Sequence, residues 1–241
     1  MRTLFIADLH LHETRPQITQ AFFAFLHANK NTTEALYILG DFFDAWIGDD
    51  DDSPLCTAVA AELKQFGEDG AQVFLMHGNR DFLLGEKFAE RAGATLLPES
   101  TLINLYGQPT LLLHGDELCI DDKDYMAFRQ QVRSPQWQAQ ILSQPLAARR
   151  VLAAQLREKS QAMNSVKAED IMDVAPAEVV RVMTEAGIHR LIHGHTHRPA
   201  RHALTLQGVA AERIVLGDWH HQAWALVTTE DGLDLVSWTI A

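Results

Sequence analysis

Cysteine is nearly missing from this chain: there are two, Cys56 and Cys119, and neither sits in a metal-type pair. A disulfide framework and a thiolate metal site are thereby set aside, and a reduced, cytoplasmic setting is expected. Long apolar runs are missing as well. No stretch is long enough to cross a bilayer. The apolar opening, Met1 to His10, is short and interrupted by Asp8 and His10, so it does not read as a signal peptide. Repeats and low-complexity tracts are absent. Basic residues are scarce: 20 Lys and Arg against 32 Asp and Glu give a formal charge of −12, which argues against nucleic-acid binding.

What remains suits one large domain. Of the 241 residues, 47% are hydrophobic, enough for a sizeable core. Short apolar runs at 3–7, 35–39, 72–76, 110–113, 190–192 and 213–216 read as buried strands. A polar cluster follows each: Asp8-Leu-His10, Gly40-Asp41, His77-Gly-Asn-Arg-Asp81, His114-Gly-Asp116, His193-Gly-His-Thr-His197 and Gly217-Asp218. Helical patterns at about 17–29, 54–67 and 84–92 separate the early strands. Strand, polar turn and helix in alternation describe an α/β protein, and in such sheets sites gather at the carboxyl ends of strands. The tail alternates at 209–216, 223–228 and 233–239, from which a second sheet packed on the first is expected.

Residues 121–170 break the rhythm. They carry helical, amphipathic sequence and no strand-end cluster, and they read as an inserted helical cap within a single domain spanning 1–241. From Lys123 to Lys167 there are eight basic and two acidic residues. That is either a solvated helix face or a basic, apolar-lined cap for an anionic, greasy ligand.

The 12 histidines are informative by placement. Asp8-X-His10 and His195-X-His197 put two donors on one side of a strand end, because alternate residues share a face. Asp41 and Asn79 each follow a glycine that lets the backbone turn sharply, and His114 ends a further strand. Asp8, His10, Asp41, Asn79, His114, His195 and His197 make three oxygen donors and four imidazoles. A tetrahedral site needs only four ligands. Seven, one of them bridging, suit two cations that share a hydroxide and clamp a phosphoryl group for in-line attack. Mixed nitrogen and oxygen donors favour manganese, with iron, cobalt or zinc possible, over calcium. Asp44, Asp81 and Asp116 are expected to orient these ligands. Surface or core packing is expected for His12, His27, His77, His189, His202, His220 and His221.

The ordered motifs D-X-H, G-D-X-X-D, G-N-X-D, H-G-D and G-H-T-H resemble those of the calcineurin-like metallophosphoesterase superfamily, over residues 3–120 and 190–220. The resemblance implies a four-layered αββα fold with two β-sheets. It also implies Asp8, His10 and His197 on one metal, Asn79, His114 and His195 on the second, and Asp41 bridging. The superfamily usually has histidine after the asparagine, where this chain has Arg80. Arginine cannot act as an acid but can grip phosphate. The expected leaving group is therefore one that departs without a proton, such as a phosphate released from a pyrophosphate.

Within the superfamily the whole chain is similar to the UDP-2,3-diacylglucosamine hydrolase family, the pyrophosphatases of lipid A biosynthesis. The stretches 3–10, 36–41, 45–50, 77–85, 118–122, 171–174 and 191–199 carry the likeness, with Ser160, Asn164, Ser165 and Lys167 in the cap. It implies attack of a metal-bridging hydroxide on the α-phosphorus of UDP-2,3-diacylglucosamine, giving UMP and 2,3-diacylglucosamine 1-phosphate (lipid X), with two Mn²⁺. Substrate contacts carry over to Asn79, Arg80, Asp122, Ser160, Asn164, Lys167 and His195. Arg157 joins them because it shares a helix face with Ser160 and Asn164. Trp46, Phe128, Trp137, Leu142 and Leu146 suit an acyl-chain groove or plain core packing. A peripheral position on the cytoplasmic face of the inner membrane is expected, docked through the basic cap, with no obligate protein partner. The rivals are another phosphodiesterase or phosphatase of the same fold, and a non-catalytic scaffold.

Overall fold

The computed structural model describes residues 1–164 and 173–240. The apolar runs become strands because both faces of each are covered, the usual reading of a continuous hydrophobic run. Five strands open the chain: β1 (Arg2–Ile6), β2 (Thr33–Leu39), β3 (Gln72–Met76), β4 (Ala94–Leu96) and β5 (Ser100–Leu105). Then come β6 (Gln108–Leu113), β7 (Arg190–His193), β8 (Ala200–Leu206), β9 (Val209–Val215), β10 (Gln222–Thr229) and β11 (Gly232–Thr239). They form two sheets, ordered β11-β10-β1-β2-β3-β4 and β5-β6-β7-β9-β8. The strands β1 to β4 run parallel, as do β6, β7 and β9, while β10, β11, β5 and β8 join antiparallel.

Alternation along each strand divides the core into layers. Phe5, Leu39, Met76, Leu112, Ile192 and Ile214 interdigitate between the sheets. Leu4, Ile6, Leu36 and Ile38 face outward onto the helices α1 (Pro16–Asn29) and α2 (Pro54–Glu68), which supply Ile18, Phe22, Leu26, Val59 and Leu63. Leu111, Leu113 and Leu191 face the other way, onto Val179 and Met183. The result is the four-layered αββα arrangement that the motifs imply. Pro at the first position and Ser53 capping the Cys56 N–H at 3.3 Å start α2 as helix-capping chemistry requires.

The helix α3 (Glu86–Arg91) is shorter than the expected 84–92. Leu84 still belongs to a turn on the Asp81 carbonyl, and the Asp49 carboxylate, from another loop, accepts the Gly85 and Phe88 N–H groups at 2.9 and 3.1 Å and fixes where the helix begins. The tail also differs from expectation. It does not build one second sheet: β9 joins β7, whereas the β10–β11 hairpin crosses to the first sheet and pairs with β1. The crossing is pinned at Trp219, which is fully buried and donates its backbone N–H to the Asp8 carbonyl at 3.0 Å. The hairpin covers an edge of β1 that would otherwise expose its backbone groups.

The segment after β6 contains α4 (Lys123–Val132), α5 (Pro135–Leu142) and α6 (Leu146–Asn164), and α7 (Pro176–Glu185) leads back to β7. Residues 165–170 of the expected cap lie outside the described residues, as does Lys167. Val132, Phe128, Trp137 and Ile141 pack on the helix-side core. The arginines of this segment face the body: Arg129 and Arg133 pair with Glu99 and Asp116, Arg149 with Asp50, Arg150 with Asp51, and Arg157 with Asp44. Much of the cap's positive charge is therefore spent on holding it down.

Candidate metal centre and cavity

Six strand ends from both sheets meet at one point. Asp8 and His10 follow β1, Asp41 follows β2, Asn79 follows β3, His114 follows β6, His195 and His197 follow β7, and Asp218 follows β9. Loop-to-loop bonds hold the ends together: Asp8 N–H to Gly40 O at 3.1 Å, His10 N–H to Asp41 O at 2.9 Å and Gly194 N–H to His114 O at 2.8 Å.

The backbone at the centre is strained. Asp8, His10, Asp41, His195 and His197 all have φ between 49 and 69°. This left-handed region is sparsely used by residues with a Cβ, and its clustering marks a functional site. Gly78 is obligatory for a different reason: a Cβ there would lie 2.1 Å from the Asp41 nitrogen.

Seven donor groups are gathered. The donor atoms of Asp8, His10 and His197 lie within 4.8 Å of one another, as do those of Asp8, Asp41 and His114. His10 Nε2 and His197 Nε2 stand 3.2 Å apart. Asn79 Oδ1 accepts from His114 Nε2 at 3.0 Å and from His195 Nδ1 at 2.8 Å. Asp41 straddles the two groups, with Oδ2 3.7 Å from His10 Nδ1 and Oδ1 3.7 Å from His114 Nε2. A first-row ion binds imidazole at about 2.1 Å, so two ligands of one ion stand roughly 3.0 to 3.4 Å apart. The 3.2 Å and 3.0 Å spacings fall within that range, and the 2.8 Å and 3.7 Å spacings lie within a few tenths of an ångström of it. Asp8 Oδ1 and His10 Nδ1 are buried without a hydrogen-bond partner, which is costly unless a cation satisfies them. The donor set thus fits divalent cations.

The electrostatics are those of a compressed cluster. Burial disfavours the Asp8 carboxylate, but His197, with His114 and His10, outweighs it and holds the group below the usual range. Burial pushes Asp41 up to about 6 against the pull of His114 and Arg80. Burial opposes protonation of His114, yet Asp41, Asp8 and Asp116 raise it to about 9. Burial and the neighbouring His114 lower His195 to about 4.

The supporting carboxylates divide their work. Asp81 is fully buried and accepts from Gly78 N and Phe42 N, both at 2.7 Å, and from Asp41 N and Phe43 N at 3.3 and 3.4 Å. It fixes the loops that carry Asp41 and Asn79. Asp116 receives Tyr125 Oη at 2.5 Å and Arg129 Nε at 2.8 Å. Asp44 departs from expectation: it holds arginines, not ligands, with Arg80 Nη1 at 2.9 Å and Arg157 Nη2 at 3.1 Å. His77 bonds the Leu84 carbonyl and stays outside the donor cluster.

Beside the donor cluster lies a cavity of about 590 Å³. Asn79, Arg80, Asp122 and Arg157 are among its polar lining residues, and Trp46, Phe82, Phe128, Trp137, Leu152 and Leu156 among its apolar ones. Trp46, Phe128 and Trp137 line it as expected, but Leu142 and Leu146 do not: Leu142 is 42% exposed, and the inward face of α6 runs instead through Arg149, Leu152, Ala153 and Leu156 at helical spacing. Asp122 also caps α4 through the Tyr125 N–H at 3.0 Å. Ser160 and Asn164 fall on the last turns of α6, and their side chains lie outside what is described. Sequence reasoning missed Tyr125, whose ring stacks on His195 at 6.1 Å, and Arg133, which bonds the Gly78 carbonyl at 2.9 Å. The i, i+4, i+8 spacing of Tyr125, Arg129 and Arg133 was the available signal.

A family model for calcineurin-like phosphoesterases matches residues 1–199. The chain belongs to the calcineurin-like phosphoesterase family. It is a divalent-metal phosphoesterase by that membership. Among curated relatives, the UDP-2,3-diacylglucosamine hydrolase of Cellvibrio japonicus is 70% identical over 240 residues, covering 100% of both chains. Those of Marinobacter nauticus and Pseudomonas aeruginosa are 53% and 52% identical, covering 96% of this phosphoesterase and 95% and 97% of theirs. The whole-chain resemblance read from the motifs is borne out. No helix among the described residues is long and apolar enough to cross a membrane.

Proposed function

We propose that this phosphoesterase hydrolyses the pyrophosphate bond of UDP-2,3-diacylglucosamine, releasing UMP and 2,3-diacylglucosamine 1-phosphate. The observation that carries the reading is the shared wall: Asn79 and Arg80 border both the seven-donor cluster and the apolar cavity. A phosphate ester with greasy substituents is the ligand that such a juxtaposition suits. The names of the relatives, at up to 70% identity, point to the same substrate.

Asp8, His10 and His197 would hold one cation, Asn79, His114 and His195 another, with Asp41 between them; two Mn²⁺ are the ions we propose. Bound there, they would supply an activated water and neutralise phosphoryl oxygens. The protein's own groups do the rest. Arg80 is held by Asp44 at 2.9 Å and approaches Asp41 with Nε at 3.4 Å, so its guanidinium is fixed where charge develops on the departing phosphate. His195, as a ligand, would be a neutral imidazole with no extra proton to give. That suits a leaving group that departs as phosphate. The apolar wall from Trp46 to Leu156 would take acyl chains and align the diphosphate with the donors.

The segment 121–170 acts in this reading as an inserted cap of a single domain. We further propose peripheral association with the cytoplasmic face of the inner membrane. Exposed Leu142 and Val151 on the cap support it. The deciding experiment compares hydrolysis of the diacylated substrate, a deacylated UDP-sugar and a small chromogenic diester, before and after chelation and with Mn²⁺ or Zn²⁺ restored. Preference for the diacylated substrate and loss on chelation are expected. Equal rates on all three, or full activity in chelator, would overturn the reading.

A further inference from the structure

Three guanidinium groups converge on one carboxylate at the rim between the donor cluster and the cavity. Asp44 Oδ1 accepts from Arg15 Nη2 at 3.2 Å, Arg80 Nη1 at 2.9 Å and Arg157 Nη2 at 3.1 Å, and its Oδ2 accepts from Arg157 Nε at 3.1 Å. Among the described residues, this one carboxylate stands against all three positive charges. Arg80 also approaches Asp41, but that carboxylate already faces two of the imidazole donors, His10 and His114. The side chains are 25%, 20% and 28% exposed, so each guanidinium is partly desolvated and still reachable. A cationic surplus in such a setting is a seat for a dianion.

The three are not equivalent. Arg80 and Arg157 line the apolar cavity, and Arg15 does not. Arg15 is tied instead to the His10 carbonyl, at the loop before α1, on the Asp8–His10–His197 side of the centre. We propose that Arg15 binds the nucleotide half of the substrate, donating to a non-bridging oxygen of the uridine-side phosphate, while Arg80 and Arg157 hold the phosphate that leaves with the lipid. The assignment rests on the function proposed above and adds the placement of the second product. In-line displacement sets the attacking oxygen and the leaving phosphate on opposite sides of the phosphorus. The lipid phosphate follows its acyl chains into the cavity. The uridine, the remaining substituent, has to project sideways out of the cavity, where Arg15 is the guanidinium that faces it.

The test is product inhibition of the Mn²⁺-loaded enzyme, with UMP and 2,3-diacylglucosamine 1-phosphate measured separately by competition and by calorimetry. Arg15→Gln is expected to weaken UMP by roughly tenfold or more, the loss of a charge-assisted hydrogen bond, and to leave the lipid phosphate unchanged. Arg157→Gln is expected to do the reverse. Arg15→Lys should regain part of the UMP affinity, because charge returns without the planar fork. Equal weakening of both products by Arg15→Gln would show that Arg15 acts only through Asp44 and would overturn the proposal; so would no weakening of either. A wild-type enzyme that cleaves the substrate yet ignores UMP would sink this assignment alone, whereas failure to cleave it would sink the substrate reading beneath it.

Discussion

Asp81 offers a sharp test of how the centre is held. Its carboxylate, buried completely, gathers four backbone N–H groups from the loops after β2 and β3. In Asp81→Ala the two short bonds at 2.7 Å vanish and leave Gly78 and Phe42 N–H groups buried without acceptors. Each such orphan costs about 1–3 kcal/mol, so a loss of about 4 kcal/mol is expected, a large share of the roughly 5–15 kcal/mol that a domain possesses. Asp81→Asn keeps one acceptor oxygen and sets an amide NH₂ against a backbone donor, so about half that loss is expected. Both changes also release Asp41 and Asn79, and metal affinity should fall about 10–100-fold, the usual effect of losing a residue that orients ligands. Urea unfolding of the metal-free protein gives the first quantity, and calorimetric Mn²⁺ titration of the Asn variant gives the second. If Asp81→Asn were within about 0.5 kcal/mol of the parent, the range of a surface substitution, and bound metal equally well, the role assigned to Asp81 would be wrong.

Two further outcomes follow from the same geometry. His114, raised to about 9 in the metal-free protein, must shed a proton to ligate, so loading near neutral pH should release protons and apparent affinity should climb with pH until about 9. Its folded value lies above its ordinary 6.5; the stabilisation it provides is therefore full below 6.5 and lost as pH rises toward 9. Metal-free protein should lose stability across that window, and a flat profile in denaturant titrations would contradict the assignment. Trp137→Ala opens the apolar wall and should raise KM for the diacylated substrate several-fold, with little change for a small diester; parallel losses on both would deny the wall its role in binding.

The donor set was legible in the sequence because each ligand follows an apolar run, and parallel strands deliver their carboxyl ends to one edge. Pairing partners were less legible. Nothing local in 222–239 says that β10 should cross to β1, since an uncovered strand edge is a property of the assembled sheet. The strands β5 and β8 were hidden for another reason: they alternate with solvent-facing positions and lack an apolar run. Of the misplaced wall residues, Leu146 is explained by the phase of α6, whereas Leu142 is the last residue of α5 and faces solvent. The charge of the cap was visible, but Asp50 and Asp44 lie 99 and 113 positions from their partners Arg149 and Arg157, so the pairing of the cap with the body could not be read.

The left-handed backbone at Asp8, His10, Asp41, His195 and His197 has a practical corollary for anyone disarming the enzyme. Alanine at these positions would change two things at once, deleting a donor while keeping a Cβ in a conformation that alanine tolerates poorly. Asparagine accepts that conformation more readily, so Asp8→Asn or His197→Asn is the cleaner choice for an inactive form meant to trap intact substrate.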